Sequence, residues 1–288
     1  MYKIVSKQLL APSIYEMVVE APRLARAAKP GQFLVVRNDE KGERVPLTIS
    51  DYDAEKGTVT MVIQTIGAST IQMCAKEAGD SFEDVLGPLG CASEFVQLSD
   101  EELKQKRFLF IAGGVGTAPV YPQARYFHEK GARVDVIVGA KNADMLIYED
   151  KMKAVCDNLY ICTDDGSKGF HGLVTNMAKS LILEQGKQYD QAVAIGPMIM
   201  MKFCMLTLKE LGLPLTVSLN TLMVDATGMC GACRVTVGGK TRFACVEGPE
   251  FNAYEVDFDE AMRRQTMYRS QEAEAKERLN NHTCKIRG

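Results

Sequence analysis

The chain has 288 residues, 46% of them hydrophobic, and a formal net charge of -3, which fits a globular protein of about two domains with ample material for its cores. Slight acidity (pI near 5.8) and the lack of a long basic block argue against a nucleic-acid footprint. No apolar run approaches the ~20 residues that span a bilayer, and Met1-Tyr2-Lys3 leads straight into an alternating strand rather than a signal sequence. Nine cysteines, three of them clustered, point to a reducing, cytoplasmic setting rather than a disulfide framework.

Six short strands are expected first, at residues 2–7, 14–19, 32–37, 45–51, 58–65 and 81–86. Pro30-Gly31, Asn38 to Gly42 and Glu55 to Gly57 break them, a spacing that predicts a small antiparallel barrel over residues 1–100. In the fourth strand, Arg44-Val45-Pro46-Leu47-Thr48 alternates so that Arg44, Pro46 and Thr48 share a face. Such a face suits a flat heteroaromatic ring and its phosphates, although the same segment also reads as an edge strand that holds a proline. Before the sixth strand, Gly67-Ala68-Ser69-Thr70 opens a short helix to residue 78. Its first backbone N–H groups lack intrahelical partners and can receive phosphate.

The texture changes at Phe108-Leu109-Phe110-Ile111-Ala112, a continuous apolar run like a buried parallel strand. Gly113-Gly114-Val115-Gly116-Thr117-Ala118-Pro119 follows at once and leads into a helix reaching about residue 130. Strand, glycine turn and helix in this order form a dinucleotide-phosphate site when the backbone can approach closely, and Pro119 suits the first helical turn. Further strands at 134–138, 159–163 and 191–195, with helices between, complete a doubly wound parallel-sheet domain over residues 101–215. Two loops fall at carboxyl ends of these strands, where open α/β sheets bind ligands. They are Thr163-Asp164-Asp165-Gly166-Ser167 and Gly196-Pro197-Met198; ordinary turn chemistry accounts for both equally well. Gly139-Ala140-Lys141 stands where an acidic ribose ligand is usual, so NAD and NADP are both left open.

Residues 216–256 hold Asp225-Ala226-Thr227-Gly228-Met229-Cys230-Gly231-Ala232-Cys233, a hairpin turning at Gly238-Gly239, and then Cys245. The hairpin returns Cys245 beside Cys233. With Cys230 these give three thiolates, and Asp225 takes the remaining position of a C-x4-C-x2-C…C cluster spacing. Spacing alone leaves zinc and iron–sulfur both open. Residues 257–281, free of Gly and Pro and rich in Glu, Lys, Arg, Gln and Ala, predict one long C-terminal helix within 257–288. Met262, Met267 and Tyr268 are its candidate docking residues.

Together these motifs resemble the ferredoxin-NADP reductase superfamily over nearly the whole chain. Within it the sequence is similar to electron-transfer subunits of type B dihydroorotate dehydrogenase and, more closely, to the small subunits of NADH-dependent reduced ferredoxin:NADP oxidoreductase. The resemblance implies FAD at Arg44, Val45, Pro46, Leu47 and Thr48 with its diphosphate at Gly67, Ser69 and Thr70, and barrel closure at Gly87-Pro88-Leu89-Gly90. It implies NAD(H) at Gly113, Gly114, Gly116, Thr117 and Pro119, with Asp164, Asp165, Gly166, Gly196, Pro197 and Met198, and a [2Fe-2S] cluster on Asp225, Cys230, Cys233 and Cys245. Aspartate at 225 favours the second subfamily, because the dihydroorotate subunits carry cysteine there. The implied activity is electron passage between NAD(H), FAD and the cluster. The implied partner is a larger flavin and iron–sulfur subunit serving ferredoxin and NADP.

His128, His171 and His282 are widely spaced, and no nucleophile has a partner in sequence, so hydrolysis has no support. A reading of another class is an NADH-sensing, non-catalytic subunit with a structural zinc.

Overall fold

Alternation and turn residues build the N-terminal strands: β1 (Tyr2–Ala11), β2 (Ile14–Glu20), β3 (Phe33–Arg37), β4 (Val45–Thr48), β5 (Asp51–Asp53), β6 (Thr58–Gln64), β7 (Ser81–Phe82) and β8 (Asp84–Leu89), with helices α1 (Pro22–Ala27) and α2 (Ala68–Ala75). The computed structural model describes residues 1–286, and side chains through residue 281, so the side chain of His282 lies outside the described residues. The strands pair antiparallel throughout, in a five-stranded sheet β5-β6-β2-β1-β7 and a three-stranded sheet β4-β3-β8. One core, including Ile4, Met17, Leu34, Val36, Met61 and Phe82, lies between them.

Two expected strands divide where the barrel turns a corner. Residues 45–51 split because Ile49 N–H bonds to Gln32 O at 3.2 Å in one sheet while Ser50 N–H bonds to Thr60 O at 2.9 Å in the other. Residues 81–86 split likewise at Glu83, whose N–H reaches Arg37 O at 3.0 Å. The chain changes sheet at both points, which closes the barrel.

After α3 (Asp100–Lys104) come β9 (Arg107–Gly113), α4 (Thr117–Glu129), β10 (Arg133–Ala140), α5 (Glu149–Lys153), β11 (Asn158–Thr163), β12 (Phe170–His171), α6 (Val174–Lys179), β13 (Gln191–Ile195), α7 (Met198–Glu210) and β14 (Leu215–Ser218). These strands run parallel, as their unbroken apolar character requires. Phe108, Phe110, Val120 and Phe127 form the core on the α4 side of the sheet; Leu109, Ile111, Met201 and Leu208 form the core on the α6 and α7 side. The sheet is thereby doubly wound. The ion pairs Arg125–Asp51 (2.6 Å) and Lys151–Glu16 (2.5 Å) join this layer to the barrel.

The C-terminal part begins with the hairpin β15 (Arg234–Val237) and β16 (Lys240–Phe243). Strand β17 (Glu250–Asn252) then pairs antiparallel with β14 and completes the large sheet, in the order β12-β11-β10-β9-β13-β14-β17. The cluster segment is consequently part of the same body as the nucleotide sheet.

The single helix expected over 257–281 is two: α8 (Phe258–Arg264), capped by Asp257, and α9 (Arg269–Ile286). Thr266 causes the break locally. Its hydroxyl and its N–H both bond to Arg263 O, so the backbone tightens into a turn instead of continuing the helical ladder. Met262 packs on the core, whereas Met267 and Tyr268 remain exposed. No helix among the described residues is long and apolar enough to cross a membrane.

Candidate functional site

The three-stranded sheet β4-β3-β8 positions the first part of the site. Val45 and Leu47 pack on the barrel core, so alternation places Arg44, Pro46 and Thr48 on the opposite face. Across the sheet Val35 is paired with Pro46 and Phe33 with Thr48, and directly paired residues share a face. On that face Phe33 and Val35 pack against Cys233, Cys245, Ala226 and Ala244. One sheet face therefore carries both the Arg-Val-Pro-Leu-Thr motif and the cysteines.

Cys233 and Cys245 are 2% and 3% exposed, and they pack together in one cluster. Burial, reinforced by that contact, pushes the Cys245 thiol up to about 12. Cys230 is exposed and its thiol is held below the ordinary range, chiefly because the N–H of Ala232 points at the sulfur. Gly231 makes this approach possible with a φ of 66°, a left-handed conformation. Asp225 bonds to Thr227 through both the hydroxyl and the N–H, and its backbone N–H is directed at Cys230. The Thr227 hydroxyl is the main reason its carboxyl lies below the usual range, with Arg44 adding to it. Arg44 Nη1 lies 2.7 Å from Asp225 Oδ1 and 3.2 Å from its carbonyl oxygen.

Among the described residues no three His, Cys, Asp or Glu side chains form a ready single-ion cage. The expected ligands nevertheless adjoin one another: Cys245 has both Cys233 and Cys230 near it, and Cys230 has Asp225 near it. Thiolates in this number are donors that an iron–sulfur cluster or a zinc ion takes.

At α2 the Thr70 hydroxyl captures the N–H groups of Ile66 (3.0 Å) and Gly67 (3.1 Å). Part of the expected donor set is thus already used. Ser69 Oγ donates to Glu43 at 2.6 Å. A Cβ on Gly67 would meet nothing within 4 Å, which leaves open room at this turn.

The nucleotide loop lies at the carboxyl ends of β9 and β13. A Cβ on Gly116 would overlap the Ile195 carbonyl, one on Gly113 would overlap Met200, and one on Gly196 would come 3.1 Å from Gly113 backbone. These glycines allow two loops to touch. Gly114 (φ 55°) has open space where its Cβ would be, as a backbone that receives a ligand requires. Thr117 is fully buried, its hydroxyl donating to Gly114 O at 2.8 Å. Met198 is 3% exposed in the core, so its side chain is packing material. Asp164, Asp165 and Gly166 lie beyond β11, two strands from β9, where Asp165 accepts from Ser167 N–H at 2.9 Å and Oγ at 2.6 Å.

Sequence reading missed the Arg44–Asp225 pair and a buried polar group of Ser93, Gln123 and Glu250. The sole signal for the latter is one acidic residue in the apolar surroundings of Pro249 and Phe251.

Residues 220–257 match the iron-sulfur cluster binding domain of dihydroorotate dehydrogenase B, and residues 110–205 match the oxidoreductase NAD-binding domain. A Thermotoga maritima protein described as a homolog of the dihydroorotate dehydrogenase B (NAD(+)) electron transfer subunit is 44% identical over 277 residues, covering 96% of this chain and 95% of that protein. The chain belongs to the dihydroorotate dehydrogenase B electron transfer subunit family. The chain is also similar to a Clostridium beijerinckii protein described as an uncharacterized protein in the adh 3' region, 58% identical over 294 residues, covering 100% of this chain and 99% of that protein. A solved structure of an NADH-dependent reduced ferredoxin-NADP oxidoreductase, described for flavin-based electron bifurcation, superposes with a TM-score of 0.89 at 43% identity, covering 97% of this chain and 98% of that one. As a member of the electron transfer subunit family, the chain is an NAD(P)H-dependent flavin and iron–sulfur oxidoreductase subunit that works with a larger catalytic subunit.

Proposed function

We propose that this chain draws electrons from NADH and delivers them singly, through its cluster, to a larger flavin and iron–sulfur subunit of an electron-bifurcating ferredoxin:NADP oxidoreductase in the cytoplasm. The observation that carries this reading is the shared face on which Pro46 and Thr48 stand beside Phe33, Val35 and the buried cysteines. Two redox groups held there lie within a short electron path.

Residues 1–100 are assigned to FAD, 101–215 to the nucleotide and 216–256 to the cluster, with 257–288 as a C-terminal helical segment. Arg44, Val45, Pro46, Leu47 and Thr48 hold the flavin ring and its phosphates, and Gly67, Ser69 and Thr70 its diphosphate. Gly113, Gly114, Gly116, Thr117 and Pro119 receive the pyridine nucleotide, bordered by Gly196, Pro197, Met198, Asp164, Asp165 and Gly166. Asp225, Cys230, Cys233 and Cys245 hold the [2Fe-2S] cluster. A bound flavin supplies the exchange between hydride and single electrons; the chain's own work is to bind, orient and shield. Met229 (86% exposed), Val224 and Val246 give the cluster loop an apolar rim suited to the larger subunit. Ferredoxin and NADP are engaged through that subunit.

Delivery to a dihydroorotate-linked partner is the second reading, supported by the Thermotoga relative; Asp225, where that subfamily has cysteine, favours the first. An anaerobic visible spectrum with iron and zinc counts, before and after NADH, tests the core of the proposal. Flavin and cluster bands bleached by NADH, with about two irons per chain, support it. A colourless zinc protein overturns it and leaves the NADH sensor.

A further inference from the structure

Glu250 stands on β17 with its carboxyl enclosed by all parts of the fold. Gln123 Nε2 of α4 donates to its Oε1 at 2.6 Å. Gly31, in the turn before β3, comes so near that a Cβ there would lie 3.0 Å from the same oxygen and 2.8 Å from Ser93 N. The Ser93 hydroxyl, fully buried, lies beside the carboxylate without completing a hydrogen bond in the observed arrangement. Three oxygens at this junction are buried without partners: Glu250 Oε2, Gln123 Oε1 and Ser93 Oγ.

An ionised carboxylate and an amide carbonyl present only acceptors to one another. Buried acceptors left unpaired are costly; the Ser93 hydroxyl can donate to only one of the two unpaired acceptors, Glu250 Oε2 and Gln123 Oε1, and a proton on Glu250 Oε2 supplies the second donor. The protonated acid is therefore a well-suited occupant, while the ionised form is tolerated through Gln123 and Ser93.

The same residue is close to the cysteine centre by construction. It follows Cys245 by five positions in a turn held to the barrel by Cys91 N–H on Gly248 O at 2.6 Å and Cys91 Sγ on Val246 O at 3.2 Å. Its neighbour Phe251, and Phe33 two residues beyond Gly31, both pack against Cys233 and Cys245. Apolar packing excludes water from the space between, so a charge at the cysteines is felt more strongly here than at the surface.

We propose that Glu250 is a redox-linked proton site, taking up a proton from solvent as the adjoining cysteine-held centre gains an electron and releasing it when the electron leaves. The inference rests on the electron-transfer reading. The balance is one electron, drawn from NADH oxidation, and up to one proton, drawn from water, per reduced centre. Ser93, which adjoins the exposed Glu94 in the chain, is the hydroxyl through which the proton enters. Burial raises the Glu250 carboxyl to about 7; the bond from Gln123 and the nearby Ser93 hydroxyl lower it, and the like charge of Glu94 raises it. The remaining neighbours contribute backbone from the Gly31 turn and the polar Ser218 of β14, paired with Glu250.

The test is the cluster midpoint of the anaerobic holoprotein between pH 5.5 and 8.5, by spectroelectrochemistry. The midpoint should fall as pH rises through the Glu250 transition, with a limiting slope of about 59 mV per unit for one proton per electron. Glu250→Gln should flatten the profile at unchanged iron and FAD content. Glu94→Gln, an exposed change, should move the sloping region to lower pH. A flat wild-type profile, or a slope that persists in Glu250→Gln, overturns the proposal. Should Glu250→Gln fail to hold its cofactors, an unmoved profile in Glu94→Gln overturns it instead. Loss of the Glu250 idea alone is recognised by normal flavin and cluster bands with a flat profile, whereas absent bands in the wild type overturn the electron-transfer reading itself.

Discussion

Arg44 Nη1 and Asp225 Oδ1 lie 2.7 Å apart, joining the start of β4 to the loop that carries the cysteines across 181 residues of sequence. Arg44 stands on the proposed flavin face, yet its guanidinium is engaged by a proposed cluster ligand. A guanidinium has five donors, and this pair uses one nitrogen, so the others remain for a phosphate. Removal of Arg44 should therefore disturb both sites. In Arg44→Ala the FAD retained after desalting should fall several-fold and the cluster midpoint should shift, while Tm changes little because exposed ion pairs add little stability. Arg44→Lys, which keeps charge but loses the planar fork, should recover the midpoint more fully than the FAD content. Visible absorbance and a redox titration of the three proteins decide the matter, and unaltered FAD content in Arg44→Ala would refute the assignment.

Cys233 is buried against Phe33 and Val35 in the cluster that also holds Cys245. Cys233→Ser should abolish the cluster bands and lower iron content to near background, since a serine hydroxyl is a harder and far less acidic donor than the thiol that iron–sulfur iron takes. FAD should remain bound, because the flavin contacts proposed above lie on β4 and α2. Loss of both chromophores together would mean that the shared sheet face depends on the cluster for its own order.

The parts most legible in the sequence are those fixed by local pattern. The unbroken apolar run leading into Gly113 reads as a buried parallel strand, and Gly238-Gly239 between alternating segments reads as a tight hairpin, as β9 and the β15–β16 pair are. Less legible are features decided by distant chain. The alternation of 45–51 continues straight through the corner at Ile49-Ser50, because both halves are pleated and only the change of partner separates them. The composition of 257–281 is helical on either side of Thr266, whose hydroxyl terminates α8 for reasons propensity does not express. The Arg44–Asp225 pair and the burial of Glu250 need three separate segments to meet.

The two glycines of the nucleotide turn should respond differently to one methyl group. In Gly116→Ala the added carbon overlaps the Ile195 carbonyl, a backbone obstacle that cannot rotate away. The loop must move, at a cost of roughly 1–3 kcal/mol, and Tm should fall by several degrees. In Gly114→Ala the space is open but φ is 55°, a strain of about 1–2 kcal/mol. That protein should fold with a modestly lower Tm and bind NADH at least tenfold more weakly, because the methyl occupies the approach to the phosphates. NADH titration of flavin reduction measures this. Equal NADH affinity in Gly114→Ala and wild type would show that the nucleotide does not use this turn.

The buried carboxyl also makes stability depend on pH in a definite direction. Glu250 has its folded pKa raised from 4.5 to about 7, by burial above all. Below 4.5 the acid is protonated whether folded or unfolded, and its titration contributes nothing. Between 4.5 and 7 the unfolded chain releases the proton while the folded protein keeps it, so stability declines as pH rises; above 7 the loss is complete and constant. The shift bounds that loss at roughly 3 kcal/mol. Glu250→Gln keeps the shape and cannot ionise, so it should escape the decline. Measured in the holoprotein by thermal unfolding, the Tm of Glu250→Gln minus that of wild type should rise steadily from pH 5 to pH 7.5 and level off beyond. A difference that stays constant over this interval would mean that the junction of Ser93, Gln123 and Glu250 keeps one protonation state throughout, and that its unpaired oxygens are satisfied by ordered water instead.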